Sequence, residues 1–163
     1  MSITKIEKGG LSMVLPKSQE LYRQHFIRDV LNFSYRAVRY YQRTFYLVES
    51  YSLKRLLRKL INEKVFTIRI LLFFYNHNRK SIQSEIRTTT SVELAFAKSC
   101  ASLEFYNDYQ ILEQTLYLEQ QILNWKKKKH QALPAGHDQH VFASIIAHQQ
   151  MAVDWLQEKI LLI

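Results

Sequence analysis

A chain of 163 residues is the length of one domain, and folding at that size can bury roughly two thirds of the unfolded surface without a disulfide or metal. Three Gly and two Pro are too few for a turn-rich β-sandwich, the single Cys excludes an internal disulfide, and plentiful Leu, Ile, Gln, Lys, Arg and Glu favour an all-α fold. The formal charge of +9 is uneven: residues 1–90 hold 17 Lys and Arg against 6 Asp and Glu, residues 91–163 hold 6 against 8. The first half therefore suits a nucleic-acid, anionic-lipid or acidic-protein partner, or else exposes the solvated faces of two helices.

Residues 1–17 show no sustained period and include Gly9, Gly10 and Pro16, so they read as a flexible tail before a single domain at 18–163, with Ser18 as the first helix cap. The tail lacks the continuous apolar stretch of a signal peptide, which sets the expectation of a cytoplasmic protein. A first helix is predicted over 17–49, its apolar stripe running from Phe26 and Ile27 through Val30, Ser34, Ala37 and Tyr41 to Val48 at a 3.6-residue period. Arg28, Arg36, Arg39 and Arg43 fall on the opposite side.

Ser50-Tyr51-Ser52 is long enough for a tight helical hairpin, so a second helix over 53–76 should return antiparallel. Its stripe reads Leu56, Leu60, Glu63, Phe66 with Thr67, Ile70, and Phe73 with Phe74, with one carboxylate among apolar residues. The apolar run at 65–75 is broken by Arg69 and falls short of the ~20 residues that span a bilayer.

Residues 77–90 are polar, and Thr90 to Glu93 fits a capping box that would open a third helix over 90–125. Ala97, Ala101, Glu104, Asp108, Ile111, Thr115, Leu118 and Ile122 would share its buried face. Four lysines, 126–129, and then Leu133-Pro134-Ala135-Gly136 read as a solvated linker. Asp138 then caps a fourth helix whose stripe includes Phe142, Ile145, Gln149, Ala152, Val153 and Leu156. Four such helices bury their stripes most simply as a four-helix bundle, and the linker of about 13 residues after the second helix could reach roughly 40 Å, enough for a long crossover.

A carboxylate or amide inside an apolar stripe is costly unless paired, coordinated or hydrogen-bonded. The run Asn62-Glu63-Lys64-Val65-Phe66, with the aromatic turn after it, resembles the second helix of rubrerythrin-like members of the ferritin-like superfamily. Ser144 to Ala152 is similar to their fourth helix, Ser34-x-x-Ala37-x-x-x-Tyr41 to their first, and Glu104-Phe105-Tyr106 to a Glu-x-Tyr run in the third. The resemblance implies a di-iron centre in which Glu63 and Glu104 survive as metal ligands, while Ser34, Phe66, Gln149 and Ala152 stand where ligands have been lost.

With most ligands lost, the resemblance implies a bundle acting as a homo-oligomer or partner-binding protein with no cofactor, rather than as an enzyme. Aromatic crowding on the first helix, Tyr40, Tyr41, Phe45 and Tyr46 among it, points to a second interface. Two alternatives stand beside it. Glu63 and Glu104 could hold iron or another divalent metal in an oxidoreductase or storage protein. Arg28, Arg36, Arg39 and Arg43 with Lys54, Arg55, Arg58 and Lys59 could instead bind nucleic acid or another polyanion. His137-x-x-His140 and Cys100 carry no comparable pattern: the first reads as surface histidines, the second as a small core residue.

Overall fold

The computed structural model describes residues 17–75, 91–101, 103–133, 136 and 138–162. The expected tail before Lys17, the linker at 77–90 with Thr90 of the capping box, and His137 lie outside these residues. Five α-helices and no strand occur among the described residues: α1 (Lys17–Leu47), α2 (Tyr51–Tyr75), α3 (Ser91–Ala101), α4 (Asp108–Gln131) and α5 (Gln139–Leu161), with a short 3-10 turn at Leu103–Phe105. None of them is long and apolar enough to cross a membrane.

The first helix buries the stripe that its period specifies, from Phe26 to Val48, with Phe45 half-buried. Ser50 accepts from Lys54 N through its carbonyl at 3.0 Å and opens α2, which returns beside α1. The buried face of α2 is rotated from the expected stripe. Leu53, Leu57, Lys64, Ile68 and Leu71 face inward with Leu56, Leu60, Glu63 and Thr67, whereas Phe66, Phe73 and Phe74 are exposed. A helix packed between two neighbours buries a wider arc than one stripe, and that arc takes in Lys64.

The expected third helix is two helices. The first ends at Ala101, and Asn107 starts α4 with a reciprocal capping box, accepting from Gln110 N at 2.9 Å while its own N–H donates to Gln110 Oε1 at 3.0 Å. Satisfied orphan amides at that point stabilise a new helix start inside an otherwise helical sequence. In α3 the inward residues are Val92, Ala95, Phe96 and Ser99, while Ala97 and Ala101 are exposed. Helix α4 continues through the lysines to Gln131, so 126–131 is helix rather than linker.

Pairs across the helices give their directions. On α1 and α4, Tyr41 meets Glu119 and Phe33 meets Trp125, so these two run antiparallel. On α1 and α3, Arg36 meets Glu93 and Arg43 meets Glu104 just beyond α3, so these run parallel. Helix α5 lies antiparallel to α2, from Tyr75 stacked on Phe142 at one end to Lys159 donating to Ser52 at the other. Helices α2 and α4 therefore point the same way, and α3, parallel to α1, runs opposite to both.

Two clamps close the ends. The Asp108 carboxylate, expected on a buried stripe, accepts from Glu49 N at 3.0 Å and Ser50 N at 2.6 Å, tying the α1–α2 turn to the start of α4. Asp138 makes no side-chain cap to α5; its carboxylate instead accepts from Arg23 of α1 and, at 2.9 Å, from the Tyr75 hydroxyl of α2.

Candidate functional site

Midway along α2, α4 and α5 the inward residues are charged or polar, and Tyr41 of α1 reaches them. Thr115, Glu119, Ile122 and Lys126 succeed one another on α4 at helical spacing and all are buried. Lys64 Nζ donates to Glu119 Oε2 at 2.7 Å and to Gln149 Oε1 at 2.8 Å, and lies 2.8 Å from Glu63 Oε2. That last contact is an ion pair without hydrogen-bond alignment, since Glu63 Oε2 has no aligned donor. Lys126 Nζ also donates to Gln149 Oε1, at 2.9 Å. Gln149 Nε2 donates to the Glu119 carbonyl at 3.1 Å and to its carboxylate, while Tyr41 donates to the other Glu119 oxygen. Thr67 donates to Glu63 Oε1 at 3.2 Å.

Two ammonium groups and two carboxylates, all buried, balance their formal charge, but the two lysines are not equivalent. Burial would lower the Lys64 pKa, yet Glu119 and Glu63 outweigh it and hold Lys64 above its ordinary value. For Lys126 burial prevails, reinforced by the Lys64 charge, and its pKa falls to about 8. Burial would raise Glu63, but Lys64 and Lys126 bring it below the usual carboxylate range. Tyr41 is pushed up by burial and by the Glu119 charge, so its hydroxyl stays a proton donor.

Of the expected ligand positions, Glu63 and Gln149 come together here, and Tyr41 from the first-helix run joins them. Glu104 does not. It sits on the 3-10 turn with its side chain 65% exposed and accepts from Arg43 at 2.8 Å. The break before α4 moves it out of register with the core, and Glu119 supplies the second carboxylate instead. Ser34 is buried but donates back to the Val30 carbonyl at 2.7 Å, a local bond that keeps it out of the cluster. Ala152 is buried, and Phe66 is turned outward against His148 with ring centroids 4.5 Å apart.

This donor set does not fit a pair of iron ions. Both carboxylates are engaged by an ammonium group at their centre, and among the described residues no group of three His, Cys, Asp or Glu stands close enough to hold a metal.

The basic candidates lie elsewhere. Arg28 pairs with Asp29 at 3.5 Å, and Lys54 and Arg58 cover the Phe45 ring at 5.4 and 5.0 Å. Lys59 lies over Trp155 at 5.5 Å, and Arg55 is exposed beside it. Arg36, Arg39 and Arg43 line a different groove, between α1 and α3. The aromatic crowding of α1 is largely spent in the core, where Phe26, Phe33, Tyr40 and Tyr41 are buried; among the described aromatic residues of α1 only Tyr46 is strongly exposed, with Tyr51 beside it at the start of α2.

Comparison of the chain with protein-family models, with curated proteins and with solved structures finds no match in any of the three.

Proposed function

We propose that this chain is a ferritin-like four-helix bundle, formed by α1, α2, α4 and α5, in which lysine ammonium groups have taken the place of metal, and that it works as a binding or oligomerising protein. The observation that carries the reading is Lys64, whose Nζ lies 2.7 to 2.8 Å from oxygens of Glu63, Glu119 and Gln149 at the crossing of the helices. An ammonium ion so placed supplies the positive charge that two buried carboxylates require. The parallel course of α2 and α4, with α3 running opposite to both, supports the ferritin-like topology, which needs one long crossover.

With both carboxylates engaged by lysine and no imidazole beside them among the described residues, the centre favours a structural role, and on this reading binding falls to the surface. The test is metal content. Protein purified without chelators and then loaded with ferrous iron should retain below about 0.1 metal per chain, since stoichiometric binding requires a defined ligand set. One or two iron ions per chain would overturn the reading in favour of a storage or oxidoreductase role. A chain that stays monomeric at high concentration would remove self-association and leave binding of another molecule.

A further inference from the structure

We infer that the groove between α1 and α3 is a binding site for a small phosphorylated molecule. This deepens the reading of the chain as a binding protein and does not depend on the central lysines.

The groove has a volume of about 350 Å³ and is walled on one side by Arg36, Arg39 and Arg43 and on the other by Glu93, Phe96, Ala97 and Cys100. Residues at i, i+3 and i+7 share one helix face and span about 10 Å along it, so the three guanidinium groups form a row. The ends of the row are tethered: Arg36 lies 3.7 Å from Glu93, and Arg43 donates to Glu104 at 2.8 Å. The middle one, Arg39, is exposed and has no ion-pair or hydrogen-bond partner among the described residues. A planar guanidinium with free donors matches two oxygens of a phosphate, and both neighbours need only a side-chain rotation to join it.

The flanking carboxylates decide between ligand sizes. A long polyanion tracking the arginine row would run past Glu93 at one end and Glu104 at the other, and like charge would repel it. A compact phosphate centred on Arg39 sits between the two, with Glu93 on the groove wall, and meets less of that repulsion than a chain that must pass both. Phe96 and Ala97 offer the apolar wall that the organic part of such a ligand requires, and the volume falls within the range of small-molecule pockets.

Cys100, the only cysteine of the chain, lines the same groove and reports on its occupancy. The full chain is labelled with an aromatic disulfide reagent at low salt, in the presence of inorganic phosphate, pyrophosphate, adenosine monophosphate or a 12-nucleotide single-stranded DNA. At about ten times Kd, pyrophosphate or the nucleotide should slow labelling about tenfold, the factor by which free sites are depleted. Arg39→Gln should abolish that protection with unchanged thermal unfolding, and Arg55→Gln should retain it. The proposal is overturned if no small phosphate protects Cys100, if Arg39→Gln is protected like the parent chain, or if only the oligonucleotide protects. Iron content measured on the same preparation keeps failure of the metal-free reading separate from failure of the groove.

Discussion

At the crossing of α1, α2, α4 and α5, Lys64 and Lys126 have no water to turn to, so their ammonium groups depend on oxygens from Glu63, Glu119 and Gln149. On the α1–α3 face, Arg36, Arg39 and Arg43 are half-buried or exposed, and the pairings of Arg36 with Glu93 and of Arg43 with Glu104 are loose or exposed. Charge of the same sign thus plays opposite parts. In the centre a cation is fixed because desolvation penalises every alternative; on the face it is available because solvent makes each pairing cheap to exchange. The contrast predicts that central substitutions register as stability and groove substitutions as binding.

The sharpest break should come from Lys64→Met. It leaves Glu63 and Glu119 buried with only Lys126 nearby, and removing one partner of a buried ion pair costs about 3–5 kcal/mol. Urea unfolding at pH 7 measures this. Adding Glu63→Gln and Glu119→Gln should recover a large part of the loss, because the residues form one coupled network. A loss under ~1 kcal/mol from Lys64→Met alone would mean that the cluster is more hydrated than its burial indicates.

Lys126→Met should behave differently, although it too removes a buried lysine. The folded chain releases the Lys126 proton near pH 8, whereas the unfolded chain holds it to about the ordinary 10.5. Between those values the unfolded state binds more protons, so this residue's contribution to stability rises with pH; below 8 both states are protonated and the full cost of burying the charge is felt. At pH 7 the variant should equal the parent or exceed it by about 1–2 kcal/mol, since an apolar isostere avoids the desolvation. Between pH 8 and 10.5 the difference should shift in the parent's favour. Lys64, held above its ordinary value, keeps its proton across this window in both chains. A gap independent of pH would show that Lys126 is not held at a lowered pKa.

Much of the fold is legible from periodicity. The stripes of α1 and α5 fall where a 3.6-residue period puts them, because each packs through one continuous apolar face. The third helix misleads: residues 90–125 contain no Gly or Pro, and the only mark of the break is Asn107 with Gln110 three residues later. Without that cap, Glu104 falls in the core and Glu119 is hidden. Lys64 and Lys126 escape notice for a different reason. Lysines beside a carboxylate or within a run of four read as solvated, and only the arrangement of four helices shows that they face inward. The spacing Thr115, Glu119, Ile122, Lys126 carries the signal, but a helical period does not say which face is buried until its neighbours are known.

The smallest stability effect should come from Glu104→Gln. Its bond to Arg43 joins two largely exposed side chains, and such pairs contribute within about 0.5 kcal/mol. Thermal unfolding should therefore be almost unchanged, while pyrophosphate protection of Cys100 improves, because Arg43 is released toward Arg39 and a repelling carboxylate is gone. Both parts matter. If protection is unchanged, Arg43 takes no part in the groove. If stability falls by more than ~1 kcal/mol, the Arg43–Glu104 pair holds the turn before α4 in place, and the division between a fixed centre and an exchangeable face would not extend to that end of the row.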